Sequence, residues 1–284
     1  MARRTKAEID RIKRWIYQLC EDMHPMTVRQ LFYQLTTHGV IDKTEAEYKQ
    51  TVCRLTANMR LAGELPWHWL ADNTRWIRKP NTYGSLNDCL EQAQLAYRRS
   101  LWDPNTNDQY VEVWLEKDAL SGVLYEVTRE YDVPLMVTRG YPSLSYLQSA
   151  AATIERELED RWGGEATIYY FGDFDPSGVD ISRNTERRLR EFVESDALTF
   201  KRVAVNEDQI AELRLPTRPT KATDSRSKNF GSDISCEVDA IRPDVLRSMV
   251  RTSISVHIDA DQIKAAQEIE RQERELLQDI RSRL

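Results

Sequence analysis

At 284 residues, 40% hydrophobic and 30% charged, the chain has the composition of a soluble globular protein, long enough for one large core or two ordinary ones. No apolar run approaches the roughly 18 residues of a membrane span and no signal-peptide core follows Arg3-Arg4-Lys6. Four scattered cysteines (Cys20, Cys53, Cys89, Cys236) read as reduced thiols, and no P-loop is present. These features exclude a membrane protein, a disulfide scaffold, a zinc cluster and a built-in P-loop ATPase, and they place the chain in the cytoplasm, at the nucleoid if DNA is its partner.

The net charge of −6 argues at first against a nucleic-acid partner, but its distribution is uneven. Residues 1–100 hold 16 Lys and Arg against 11 Asp and Glu, a net of +5, which leaves −11 for the remainder. Such a gradient allows a basic face on the first segment to approach phosphate. Ile9, Ile12, Ile16 and Leu19 recur at helical spacing over 6–22. A capping box at Thr27-Val28-Arg29-Gln30 opens a second helix, which Gly39 closes after His38. Thr44-Glu45-Ala46-Glu47 opens a third, with Tyr48, Val52, Leu55, Met59 and Ala62 as its apolar stripe and Gly63 at its end. The aromatic run Leu65-Pro66-Trp67-His68-Trp69-Leu70 reads as a strand able to serve as a wing. Three helices and a wing make the winged helix-turn-helix pattern, whose third helix reads DNA. Its polar side carries Lys49, Arg54, Asn58 and Arg60, which either meet double-stranded DNA or form a solvated face.

After an amphipathic helix (Leu86, Leu90, Ala93, Tyr97) and the polar loop 103–108, the pattern changes, which sets a domain boundary at residues 104/105. Strands ending at Glu116 and near Thr138, Phe171 and Val205 alternate with helices through Leu124, up to about Arg161, and through Arg183–Arg190. This order predicts a mostly parallel α/β sheet with helices on both faces. Residues 214–230 lose periodicity and are basic (Arg214, Arg218, Lys221, Arg226, Lys228, with the single acid Asp224), either a clamp on a phosphate backbone or a loose loop. A charged amphipathic helix from Asp261 packs on its own domain or on a second subunit.

Tyr169-Tyr170-Phe171-Gly172-Asp173-Phe174-Asp175-Pro176-Ser177-Gly178 is the most specific stretch. In extended chain residues i and i+2 point the same way, so Asp173 and Asp175 can share one cation. Glu116, at the end of a second strand, completes an oxygen-rich cleft of the kind magnesium prefers. Read as an EF-hand, the loop fails at position 12, which is Asn184. A metal-free turn of solvated carboxylates is the plain alternative, and a nucleotide-sugar D-x-D site has no further support in the chain.

Glu116 after one strand, a glycine turn after the next and D-x-D-P-x-G after a third resemble the Toprim domain of topoisomerases, bacterial primases and certain nucleases. With a winged helix ahead of it, the arrangement is most similar to the topoisomerase VI A subunit and the related meiotic double-strand-break protein, over residues 25–260. Glu237-Val238-Asp239-Ala240-Ile241 matches the acid-plus-apolar segment that follows the core in that family.

The resemblance implies an N-terminal winged-helix domain (1–104), a Toprim-like domain with a C-terminal helical extension (105–284), and DNA cleavage using one or two Mg2+ held by Glu116, Asp173 and Asp175. Mn2+ is the expected substitute, and Asp180 is a weaker ligand candidate. It further implies a homodimer and, for strand passage, a separate ATPase subunit. Arg29-Gln30-Leu31-Phe32-Tyr33 matches the setting of the family's catalytic tyrosine, so Tyr33 is the position for a 5′-phosphotyrosyl link and Arg29 the group beside it. On a helical wheel Val28, Leu31, Phe32 and Leu35 form the core stripe, while Tyr33 and Arg29 lie off it, where the guanidinium can stabilise a phenolate. Two alternatives stay open: a hydrolytic nuclease without a covalent intermediate, in which Glu116 either ligates metal or moves a proton, and a non-catalytic DNA-binding protein. A primase-type Toprim is disfavoured without a zinc-binding Cys/His cluster.

Overall fold

The computed structural model describes residues 4–71, 80–161, 163–194, 196–220 and 225–283. Lys221 and Asp224 of the basic segment, and Arg3, lie outside the described residues.

Four apolar runs form one parallel sheet: β1 (Gln109–Leu115), β2 (Leu135–Val137), β3 (Glu165–Phe171) and β4 (Leu198–Ala204), in the order β2-β1-β3-β4. Alternation assigns each strand residue a face. Val111, Val113, Leu115, Tyr169 and Phe171 enter one hydrophobic cluster, while Tyr110, Trp114, Ile168 and Tyr170 enter the other. The second cluster is closed by α7 (Leu144–Glu159) and α8 (Pro176–Phe192) through Leu147, Ala151, Ile154, Ile181 and Leu189. On the first face lie α6 (Ser121–Thr128) and α10 (Pro243–Ser255), through Val123, Leu124, Leu246 and Val250. The mixed α/β class with a parallel sheet covered on both faces agrees with the sequence reading.

The N-terminal helices join the first cluster. Here α1 (Lys6–Met23), α2 (Val28–Thr37) and α4 (Arg54–Leu61) bury Ile12, Ile16, Leu31, Leu35, Leu55 and Met59 in the same continuous core as Val113 and Leu246. The capping box at Thr27 is present, and Gly39 and Gly63 take the left-handed conformation expected of helix-closing glycines, with φ of 63° and 72°. The third helix begins as α3 (Glu45–Glu47), passes through a π-helical segment, Tyr48–Cys53, and continues as α4. The aromatic run at 65–70 is not a strand: it forms a 3-10 turn, Trp67–Trp69, and a single bridge from Met26 to Leu70. Pro66 lacks an amide hydrogen for a ladder, and Arg60 from α4 donates to the carbonyls of Trp67 and Leu70, which wraps the segment onto the helix end.

Three further elements complete the chain. A short helix α9 (Glu207–Glu212) precedes the antiparallel two-residue pair β5 (Arg218–Pro219) and β6 (Ile234–Ser235). Helix α11 (Ala260–Ser282) packs on α5 (Leu86–Ala96) of its own chain, where Tyr97 donates to Glu273 at 2.6 Å and the Arg274 guanidinium holds the Tyr97 carbonyl. No helix among the described residues is long and apolar enough to cross a membrane.

Candidate functional site

Register builds the site. Leu115 pairs with Phe171, so Glu116 leaves β1 level with Gly172 as the chain leaves β3. A Cβ on Gly172 would lie 2.6 Å from Glu116 Oε2 and 2.7 Å from Tyr170 Cε1, so only glycine admits the Glu116 carboxyl here. That oxygen then accepts the Asp173 amide hydrogen at 3.1 Å. Glu116 and Asp173 therefore meet, as the sequence reading required, at the C-terminal ends of two adjacent parallel strands.

Asp173 is 8% exposed and its Oδ1 accepts the Val238 amide hydrogen at 2.9 Å. Asp175 caps α8, with Oδ1 accepting the Gly178 amide hydrogen at 2.8 Å. Gly178 is more constrained than Gly172, because a Cβ there would stand 2.3 Å from the Asp173 carbonyl oxygen, which is backbone, whereas the atoms crowding Gly172 belong to side chains. Instead of sharing one cation, the two aspartates engage different ones: Lys117 Nζ is 3.0 Å from Asp173, and Arg218 is 3.3 Å from Asp175. Extended backbone persists at Phe174, which bridges Cys236, and at Asp175 (φ −145°, ψ 170°), so the two carboxylates are separated by their partners: Asp173 meets Lys117 and the Val238 amide, while Asp175 caps α8.

Glu237 links the two halves, 3.1 Å from Lys117, 3.0 Å from Arg218 and 3.6 Å from Arg29. Asp239 lies 2.7 Å from Lys117. Behind this cluster Arg202, on β4, donates to the carbonyls of Gly172, Asp173 and Gly178 and so fastens the β3–α8 turn.

Burial, reinforced by the charge of Asp173, pushes the Glu116 carboxyl up to about 7. Burial also raises Asp173 to about 6, against the pull of Lys117. In Glu237 burial is outweighed by Lys117, Arg29 and Arg218, which hold it down to about 2. Burial works against the Lys117 charge as well, yet Asp239, Asp173 and Glu237 together keep the ammonium protonated.

Tyr33 departs from expectation. It is 3% exposed, not off the core, because α2 is packed on two sides: α1 covers the wheel's apolar stripe, and the segment Val238–Ala240 covers the flank that carries Tyr33. Arg29 does lie beside it, 5.7 Å from the ring centre, and Lys43 Nζ is 5.3 Å away. Burial, with Glu237 adding to it, nevertheless raises the hydroxyl well above its ordinary range, which disfavours a phenolate. The tyrosine faces the acids of its own chain.

Lys49, Arg54 and Asn58 are exposed, with Lys49 only loosely paired to Glu45 at 3.8 Å. Arg60 is half-buried, holds the 67–70 turn and lies 4.9 Å from the Trp67 ring centre. Asp180 bonds the Tyr141 hydroxyl and takes no part in the acidic cluster's ion pairs.

Among the described residues no group of three or more His, Cys, Asp and Glu side chains forms a ready metal cage. Where Asp173, Glu237 and Asp239 converge, they converge on Lys117. The donor set still fits a hard dication on the Glu116 side, where two carboxyls crowd each other and Lys117 pairs with Asp173 but not with Glu116. Lys117 and Arg202 escaped the sequence reading. Lys117 stands next to Glu116 but only the packing of 237–239 gives it a role, and Arg202 is detectable only once β4 is known to pair with β3.

No family model matches this chain. Comparison with curated proteins and with solved structures likewise yields no match.

Proposed function

We propose that this chain cleaves DNA in a divalent-metal-dependent reaction, as a Toprim-like protein whose N-terminal helices hold the duplex. The observation that carries this reading is the meeting of Glu116 and Asp173 at the ends of β1 and β3, with both carboxyls raised toward neutrality. Crowded, buried carboxyls at a sheet's C-terminal edge mark a site whose charge is completed by a ligand. Glu116 and Asp173 would hold Mg2+, with Asp175 as a third ligand; both aspartates would use remaining lone pairs, since the Asp173 oxygens already meet the Val238 amide and Lys117 and those of Asp175 the Gly178 amide and Arg218. When bound, the ion supplies charge neutralisation at the scissile phosphate and the leaving oxygen. Glu116, titrating near neutrality, is also suited to move a proton at the reacting oxygen.

The burial of Tyr33 favours water over the tyrosine as nucleophile, and so a hydrolytic nuclease over a phosphotyrosyl enzyme. Supercoiled plasmid incubated with the protein and Mg2+ or Mn2+ tests both points. Nicking or linearisation is expected, lost in Glu116→Gln and Asp173→Asn and retained in Tyr33→Phe, with DNA ends free of protein after detergent. Protein-bound ends, absent with Tyr33→Phe, would restore the covalent form. Salt-sensitive binding without cleavage in either metal would leave a DNA-binding module.

A further inference from the structure

The acidic cluster already contains a cation that belongs to the chain. Lys117 Nζ lies 3.0 Å from Asp173 Oδ2, 3.1 Å from Glu237 Oε2 and 2.7 Å from Asp239 Oδ2. Its three partners come from separate places: the end of β3, the loop after β6, and the 3-10 turn Val238–Ala240. Asp239 is 2% exposed and Asp173 8%, so the ammonium, rather than solvent, supplies most of their counter-charge. Three charge-assisted contacts at these distances hold the ammonium in place, and an ion entering beside it would meet its repulsion at close range. Glu116 lies outside this arrangement: its oxygen contacts the Asp173 amide, and Lys117 forms no ion pair with it.

We propose that the Lys117 ammonium stands where a two-metal phosphoryl-transfer site would hold its second ion, so that the cluster accepts one divalent cation, on the Glu116 side of Asp173. The inference rests on the metal-dependent reading above and sets its stoichiometry. In such sites two ions flank the reacting phosphate. Here one of the two positive centres is permanent, covalently tethered and present without metal.

Counting bound Mn2+ on the full chain by electron paramagnetic resonance tests this without reference to activity. The wild type is expected to bind one ion per chain, with affinity falling at least tenfold in Glu116→Gln. Lys117→Met is expected to bind two ions, and its melting temperature to rise with Mn2+ by more than that of the wild type. Two ions on the wild type, or one on Lys117→Met, would overturn the proposal while leaving the metal reading intact. No bound ion on the wild type at millimolar Mn2+ would remove both. Should Lys117→Met fold only when Mn2+ is present, that dependence supports the proposal, and if it does not fold at all the wild-type count still decides.

Discussion

Glu116 carries the clearest pH consequence of any residue here. Its carboxyl rises from an ordinary 4.5 to about 7 in the fold, so the folded chain keeps a proton that the unfolded chain has lost. Stability from this group is therefore complete below about pH 4.5 and is lost as pH rises through 7, at a cost of about 1–3 kcal/mol once partial exposure is discounted. Glu237 acts with the opposite sign, its contribution vanishing only as pH falls toward 2. In metal-free buffer Glu116→Gln should flatten the decline between pH 5 and 8 and be the more stable protein at pH 8. Urea titrations at the two pH values measure this, and parallel wild-type and variant curves would refute it. Gly178 is a second test at this scale. A methyl group there meets the Asp173 carbonyl at 2.3 Å, where no flexible side chain can give way. Gly178→Ala should cost about 2–3 kcal/mol in chemical denaturation, and a loss under half of that would mean the β3–α8 turn is looser than drawn.

At the level of elements, the second helix shows how far a helical pattern can be read. Its capping box at Thr27, its closing Gly39 and its core residues Leu31, Phe32 and Leu35 all follow from local chemistry. Tyr33 did not, because a wheel identifies the face with the most apolar area but is blind to a second partner arriving from residues 238–240. The third helix divides its cations by role. Lys49 and Arg54 project from exposed positions, whereas Arg60 is bound into the 67–70 turn. If the helix meets duplex phosphate, Lys49→Ala and Arg54→Ala should each reduce the slope of log affinity against log salt by about 1. Arg60→Ala should instead lower stability by about 1–3 kcal/mol, through the Trp67 and Leu70 carbonyls it leaves unpaired. Fluorescence anisotropy across a salt series, beside a thermal melt, separates the two effects; an unchanged slope for Lys49 and Arg54 would free that face of a DNA role.

Across the whole molecule, cohesion is uneven. One cluster runs from Ile12 through Val113 to Ile254, so the N-terminal helices and the sheet share a core, while α11 contributes no buried residue, touches that core through the half-buried Ile263, and makes polar contacts with Gln94 of α5 and with Tyr97 and Arg99 just beyond it. Truncation after Asp259 should therefore shift the main melting transition by less than about 3 °C while exposing α5 to protease; collapse of the whole transition would show the helix pair to be integral. The sequence alone determined the parallel α/β class, the ends of the helices, and the two strands that deliver Glu116 and Asp173 to one edge. Those properties depend on periodicity, glycine placement and capping, all of which act over a few residues. Tertiary structure alone decided that Asp173 and Asp175 face different cations, that Tyr33 is buried against its own chain's acids, and that Lys117 lies among three carboxylates. Each of those outcomes rests on contacts between residues tens to two hundred positions apart, where burial and charge depend on which surfaces the fold brings together and no local pattern records the choice.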